Sequence, residues 1–412
     1  MSGARWCGVW CLGVILTAAV SGQQAGVPLT LPPWTAGTLD LHHIVTGRGN
    51  STFVVFPDAT TMLVDAGAVV SAPLHADPLP DGSRSPGAWI VDYVRQFHPT
   101  PARPHLDYAV VTHFHADHFG EVTAGSRTNG AGVALSGITE VLDSLGAGVV
   151  VDRAWPSYDY PSDLRADAAV DNYRRFLADA VARTGLRVER VRVGSASQFR
   201  VNRDPRWPDV GVRPVAANGE IWTGTGEATE QTFPPLAALA HADHPDENMC
   251  SIGLRLHYGR FDYFTGGDLP GDPEGAPAWQ GVETRLGAVL GPTDVHQVNH
   301  HGSIDPATPG FLAALRSRVL IVPAWAPTHP SPDVLKRLLN TRYYAGPRDV
   351  FTLALREPMT HAIGARVRQL AAPHGHVVVR VAPGGAAYSV YVLDDTSPAR
   401  RVTATFGPYA SR

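Results

Sequence analysis

Three scarcities frame this chain. Of its 412 residues only three are cysteine, only one is lysine, and only one stretch is a long apolar run. Cys7 and Cys11 fall inside that run and Cys250 stands alone beyond it. No internal disulfide is therefore expected after the run, and the fold must rest on an apolar core. With Lys336 as the sole lysine, the basic residues are almost all arginine, which reads as codon bias in a GC-rich genome more than as a functional choice. The formal net charge is −4, so the chain as a whole carries no electrostatic footprint for nucleic acid or for an anionic membrane. A local basic groove drawn from Arg127, Arg153, Arg174 and Arg175 remains open. At 44% hydrophobic and 17% charged residues, the composition is globular, with ample material for a core.

The apolar run, Trp6 to Val20, follows a single early charge at Arg5 and precedes Ser21-Gly22-Gln23-Gln24. A short basic start, an apolar centre and small residues at the exit describe a secretory signal peptide over residues 1–22. The run is short of the roughly 20 residues that a membrane span needs. The expectation is a cleaved leader, a secreted or periplasmic bacterial protein, and no stable membrane insertion afterwards. Residues 23–37, rich in Pro, Gly and Gln, read as a linker. Residues 38–412 read as one α/β layered domain, with an insertion at about 119–245 in which few patterns are clear.

Within that domain the periodicity predicts a strand meander over 39–45, 52–56 and 61–64, the last ending on Asp65-Ala66-Gly67. A helix is expected over 85–98, then an apolar, β-branched strand over 106–112. Inside the insertion, 166–184 has the spacing of an amphipathic helix with Gly185 as its C-cap. The aromatic loop from Trp155 to Pro161 is read either as a cover over substrate or as simple surface packing. Further on, strands are expected over 251–257, 261–265, 295–298 and 319–322, helices over 281–290, 311–316 and 332–339, and two closing strands over 377–381 and 387–393.

The segment with the most chemistry is His113-Phe114-His115-Ala116-Asp117-His118, three imidazoles and a carboxylate in six residues, directly after a predicted buried strand. A strand alternates faces, but a loop at its end turns several side chains toward one point. Neutral imidazole nitrogen and carboxylate oxygen are the usual ligands of Zn²⁺ and similar ions. The bland alternative is a polar loop of solvated histidines. Three further polar clusters also adjoin predicted strands: Asn248 to Ser251, Asp268, and His300 to Ser303. Strands ending in ligand-type residues imply sheet ends that converge on one site.

On these motifs the chain resembles the metallo-β-lactamase superfamily, whose signature the first motif matches. It is most similar to the soluble domain of ComEC-type DNA-internalisation proteins and their secreted relatives. That closer match rests on Gly47-Arg48-Gly49-Asn50-Ser51, on Asn248-Met249-Cys250-Ser251 with Thr265-Gly266-Gly267-Asp268, on His300-His301-Gly302-Ser303, and on His329-Pro330-Ser331-Pro332. The resemblance implies a four-layer αβ/βα sandwich holding one or two divalent ions, Zn²⁺ first and Mn²⁺ as the alternative. His113 and His115 would belong to one metal and Asp117 and His118 to the other, with Asp268 bridging. His300 is the preferred last ligand, and His301 the alternative. Asn248 stands where the wider superfamily has a third histidine, and an amide oxygen is a poorer Zn²⁺ ligand. His241 and His244 lie close upstream as substitutes, with plain surface histidines as the bland reading. His301, Ser303 and His329 are expected to orient ligands or to contact a developing oxyanion, Asp268 to position the ions and accept hydrogen bonds from the hydroxide, and Asp117 to act as ligand and proton acceptor. The implied activity is metal-assisted hydrolysis of a phosphodiester, in nucleic acid or in a cell-envelope polymer. The alternatives are lactone or β-lactam hydrolysis, and a secreted binding module with a degenerate site.

Overall fold

The computed structural model describes residues 29–71, 73–272 and 275–412, together with Met1. The predicted signal peptide and the first part of the linker lie outside the described residues. The later linker residues pack: Leu31 is buried, and the Trp34 indole donates to the Thr38 carbonyl at 2.7 Å.

The chain first lays down the antiparallel meander β1 (Leu39–His43), β2 (Thr52–Val55) and β3 (Thr61–Val64). Ser85 then caps helix α1 (Pro86–Phe97), its hydroxyl accepting from the Ala88 amide, with Pro86 in the first turn, where no donor is missed. Next come β4 (Leu106–Val111), the single turn α2 (Ala116–Phe119), α3 (Ile138–Leu145) and β5 (Ala147–Asp152). Helix α4 (Ala168–Thr184) is capped by Asp167 and closed by Gly185 in the left-handed conformation, and β6 (Arg187–Arg190) follows. The second half holds β7 (Val210–Ala217), β8 (Glu220–Trp222), β9 (Thr229–Gln231), β10 (Gly253–Tyr258) and β11 (Phe261–Thr265). After these run α5 (Val282–Leu290), β12 (Val295–Gln297), α6 (Pro309–Leu315), β13 (Val319–Val322), α7 (Pro332–Leu339), β14 (Asp349–Thr352) and α8 (Glu357–Ile363). The chain closes on β15 (His376–Val381), β16 (Ala387–Leu393) and β17 (Val402–Ala410).

These strands form two mixed sheets. One is ordered β17-β16-β15-β1-β2-β3-β4-β5-β6, the other β14-β13-β12-β11-β10-β7-β8-β9. Val54, Met62, Val64, Tyr108, Val110, Val149 and Val151 of the first sheet pack against Val212, Leu254, Leu256, Tyr263 and Ile321 of the second. The alternate residues Phe53, Leu63, Val111 and Val150 point the other way, under α1, α3 and α4. Across the second sheet, Leu320, Val322 and Val350 pack beneath α7 and α8. The result is a helix–sheet–sheet–helix sandwich, the four-layer α/β architecture that the resemblance implied. Because both faces of the central strands are covered, they read as continuous apolar runs.

The stretch 119–245 is built into this sandwich: β5 and β6 extend the first sheet, and β7, β8 and β9 extend the second. Three of its strands escape sequence patterning because β8 and β9 are three residues long and β6 is Arg-Val-Glu-Arg on a sheet edge. The edge strand β17, also unforeseen, is interrupted in pattern by Gly407 and Pro408. Among the described residues no helix is long and apolar enough to cross a membrane.

Strands β3 to β6 run parallel in one sheet, and β11 to β14 in the other. Ligand sites of α/β sheets lie outside the carboxyl ends of such strands. Here those ends carry Asp65, the 113–118 motif, Asp268, the 299–302 turn and Trp325. The core between the sheets sets the spacing of all of them. Truncating Phe264, fully buried against Phe311 and His296, is expected to cost about 3–5 kcal/mol in urea unfolding of Phe264→Ala.

Candidate metal centre

The motif loop is held from below before any ligand is considered. Asp65, fully buried at the end of β3, accepts from the Thr112 amide and hydroxyl, both at 2.8 Å, and from the Asn50 amide at 3.2 Å. Its Oδ2 lies 2.8 Å from His118 Nδ1, so the Nδ1 proton is held there and Nε2 is aimed outward. The Asn50 backbone N–H donates to the Asp117 carbonyl, that of Ala66 to the His118 carbonyl and that of Ala68 to the Ala116 carbonyl. This contact explains the glycine turn: a Cβ on Gly67 would stand 2.0 Å from the Asp117 carbonyl oxygen, and one on Gly49 2.5 Å from it.

The loop is also braced from behind. The Phe114 amide donates to Glu247 Oε1 at 2.8 Å, and the buried Arg153 guanidinium pairs with both oxygens of that carboxylate. Arg153 further donates to the Tyr160 carbonyl and to Asn218, each at 3.0 Å. Its place in a basic groove is thereby corrected: it is sequestered as a structural ion pair. Arg127 pairs with Glu140 and Arg174 with Asp171. Within the aromatic loop, Tyr158 is fully buried, donates to Asp152 at 2.7 Å, and packs on Phe114. At least this ring of the loop belongs to the foundation of the motif.

Above this frame two clusters meet on one carboxylate. Asp117, His118, Asp268 and His301 form one, and His113, His115 and Asp268 the other, with the candidate ligand atoms of each within 4.8 Å of one another. His118 Nε2 lies 3.0 Å from Asp268 Oδ1 and 3.1 Å from His301 Nε2. His301 Nε2 lies 3.0 Å from Asp117 Oδ2, and His113 Nε2 3.2 Å from His115 Nδ1. Trp325 donates its indole proton to Asp117 at 3.0 Å. His301 donates from Nδ1 to the Pro323 carbonyl at 2.9 Å, which leaves Nε2 for the cluster.

The preference for His300 as ligand is corrected here. His300 and His301 both adopt left-handed backbone, with φ of 47° and 53°. This costs about 1–3 kcal/mol per residue and turns the two imidazoles apart. His301 enters the cluster; His300 turns to Asp305 through Nδ1 (3.2 Å) and to the Asn248 amide through Nε2 (3.3 Å). His329 stacks flat on His301 with centroids 5.0 Å apart. Neither His241 nor His244 joins a cluster among the described residues; their rings lie beside each other at 5.1 Å. Ser303 is placed in the turn, its amide donating to the His300 carbonyl. Asp65 was visible in sequence only as the end of a strand; the signal that could have exposed it is its parallel neighbour, the strand that carries the motif.

The charges fit a divalent ion. Burial disfavours a cation on His118, but the Asp268 and Asp65 carboxylates outweigh it and hold the imidazole well above its ordinary range. His301 is likewise raised against burial, to about 10, by Asp268 and Asp117. Burial tends to raise Asp268, yet His118 and His301 bring its carboxyl well below the usual range. His113 is pushed well below its ordinary value by burial and then by the charge on His118. Protons thus occupy positions that a metal would take. Buried Asp268 Oδ1 makes no hydrogen bond despite its approach to His118, and Asn248 Oδ1 and His329 Nδ1 are buried without partners. Orphaned acceptors amid converging imidazoles are what a cation would satisfy.

No protein-family model and no curated protein matches this chain. Among solved structures, it is similar to a putative metal-dependent hydrolase from Parabacteroides distasonis (11% identity, TM-score 0.36, covering 80% of this chain and 99% of that one). It is similar to the metallo-beta-lactamase fold protein YhfI from Bacillus subtilis (10% identity, TM-score 0.38, covering 76% and 95%). A mutant form of CmlA beta-hydroxylase gives 14% identity and a TM-score of 0.41; the match covers 77% of this chain and 53% of that longer protein. Similarity at this level carries no activity over to this chain.

Two outcomes test the site. Asp65→Asn, which keeps the shape but weakens the hold on His118, is expected to lower Zn²⁺ affinity about 10–100-fold in equilibrium dialysis. His301→Ala should lower it further, and His300→Ala least of the three. Because a metal must displace the protons held by His118 and His301, Zn²⁺ binding at pH 7 should release protons. Affinity should then rise with pH, as read by calorimetry in buffers of different ionisation enthalpy.

Proposed function

We propose that the chain is a metal-dependent hydrolase of the metallo-β-lactamase superfamily that acts on phosphodiesters. Among these, it is proposed to favour ones bearing a cationic group, as in cell-envelope polymers, over nucleic acid. The observation that carries the reading is the meeting of two His/Asp clusters on the single carboxylate of Asp268. Divalent ions bound there would supply Lewis acidity and a water-derived nucleophile near neutral pH. Zn²⁺ suits this donor set, and Mn²⁺ is the alternative.

The chain's own residues would do the rest. Burial tends to raise Asp268 and Asp117, but their imidazole partners outweigh it and keep both carboxylates ionised, as ligands of a cation must be. His301 is fixed by the Pro323 carbonyl and Asp117 by Trp325, so neither needs to reorganise during reaction. His329, brought down to about 3 by burial and then by the nearby His301 charge, stays neutral beside the cluster, with its buried Nδ1 unpartnered.

Substrate preference follows from the cleft beside the centre. An open cavity of about 620 Å³ is reached through Asn248 and His300. Its walls carry Asp246, Asp272, Asp305 and Asp333 against Arg337 and His300, with His300 paired to Asp305 and Lys336 paired to Asp333. That guanidinium is spent on the carbonyls of Ile304, Pro306 and Ala307. A polyanion would meet repulsion there, whereas a phosphodiester with an ammonium group would be drawn in. Export, expected from the N-terminal segment, would give access to envelope polymers.

The deciding experiment is hydrolysis of bis(p-nitrophenyl) phosphate by the purified chain with Zn²⁺, Mn²⁺ or chelator. We expect turnover that needs metal and disappears in His118→Ala while its circular dichroism is unchanged. No turnover with either metal would sink the phosphodiester reading. In parallel, p-nitrophenyl phosphorylcholine should be cleaved with the lower KM, and Asp272→Asn with Asp333→Asn should narrow the gap. Preference for single-stranded DNA would reverse the assignment.

A further inference from the structure

A second cavity, of about 360 Å³, opens where β1 and β15 meet the C-terminal end of α1. None of its lining residues belongs to the metal clusters or to the cleft beside them. Its volume falls in the range of small-molecule sites, and its make-up is of the same kind: apolar walls with a few convergent polar groups. Trp34 and Phe97, both half-buried, and a set of prolines form the walls. His42, Asp40, Arg380 and Arg400 form the polar part.

The unpaired hydrogen-bonding groups of the cavity set the ligand's chemistry. His42 is 1% exposed, and its Nδ1 lies 3.1 Å from the Tyr93 hydroxyl. With the phenol proton donated to Nδ1, the neutral imidazole carries its own proton on Nε2. That atom is buried and unpartnered; Asp40 Oδ2, at 3.7 Å, is beyond hydrogen-bond reach. Leaving such a donor empty costs about 1–3 kcal/mol. Arg380 uses Nε and Nη2 on Asp40 and Nη1 on the Pro32 carbonyl. Arg400 places Nη1 on Gln96 and Nη2 on Asp92 and stacks over Tyr93 at 5.0 Å. Each guanidinium has five N–H donors, so both keep some to spare. Asp40 balances Arg380 and Asp92 balances Arg400, and the unspent hydrogen-bonding capacity of the histidine and both arginines is all of the donor kind.

We propose that this cavity is a binding site for a small organic carboxylate with a flat apolar body, separate from the metal centre. The carboxylate takes the His42 Nε2 proton and the spare arginine donors, and the body lies between Trp34 and Phe97. A planar body suits the two aromatic walls, whose faces stack at little entropic cost.

The test uses the full chain treated with chelator, so that the metal centre cannot bind the probe, and benzoate as that probe. We expect saturable binding in the millimolar range or tighter, seen by saturation-transfer NMR and by calorimetry. Benzamide, the neutral isostere, should bind about ten-fold more weakly or worse, as loss of a charge-assisted hydrogen bond predicts. His42→Phe should remove benzoate binding. Should that variant melt early, Trp34→Ala at the rim decides, and it is expected to weaken benzoate when both proteins are measured well below their own melting temperatures. No saturation by benzoate overturns the site. Equal binding of benzamide overturns the anion, and unchanged binding in Trp34→Ala overturns the location.

Discussion

A buried, charged Asp65 is the constraint on which the rest depends. A carboxylate removed from water costs several kcal/mol unless it is paired and fully hydrogen-bonded. Here the donors come from three places: the Thr112 amide and hydroxyl on the motif strand, Asn50 in the glycine turn, and His118 in the cluster. None can be withdrawn without stranding the charge. The hold also reaches across the sandwich. Asn50 accepts from Gln297, Gln297 accepts from Thr52 and Tyr263, and the Tyr263 hydroxyl meets His43. A polar seam thus runs between two otherwise apolar sheets and fixes how the motif strand sits opposite β11 and β12. Polar groups buried between the sheets fix position because each one left without a partner is costly.

A second buried charge plays the complementary part. Arg153 and Glu247 neutralise each other behind the motif, and the same Glu247 oxygen that receives Arg153 Nε receives the Phe114 amide. One face of the loop is therefore tied to a carboxylate in the first sheet and the other to a carboxylate from the segment before β10. Between these anchors, the imidazoles and the Asp117 and Asp268 carboxylates face each other at distances short enough that protons bind where an ion would. The strained φ values of His300 and His301 belong to the same logic: a costly turn persists because the surrounding contacts over-determine it.

Much of the architecture was legible along the chain. Strands β3, β11, β13 and β16 and helix α7 lie where their patterns place them, because each combines a sharp turn or cap with an apolar period. The motif and Asp268 were legible because ligand-type residues directly after strands are chemically conspicuous. The short strands β6, β8 and β9 were not, since three or four residues leave no period to read, nor was the edge strand β17, whose pattern Gly407 and Pro408 interrupt. Arg153 looked like surface charge; nothing local marks it as buried, because its partner lies 94 residues away in sequence.

The choice between His300 and His301 shows where local information ends. Two adjacent histidines offer the same donor at nearly the same spacing, and only the left-handed turn, clamped by Asp305 on one side and the Pro323 carbonyl on the other, decides which ring reaches Asp268. Asp65 is the converse case, a residue with no local distinction that becomes the anchor because β3 and β4 run parallel and end together. The sequence by itself determined which elements form and which residues are able to bind a cation, since both follow from periodicity and side-chain chemistry. The tertiary structure alone decided which of those residues meet, which charges are buried, and that the cleft beside them is acidic, since these depend on side chains brought together from strands far apart in the chain.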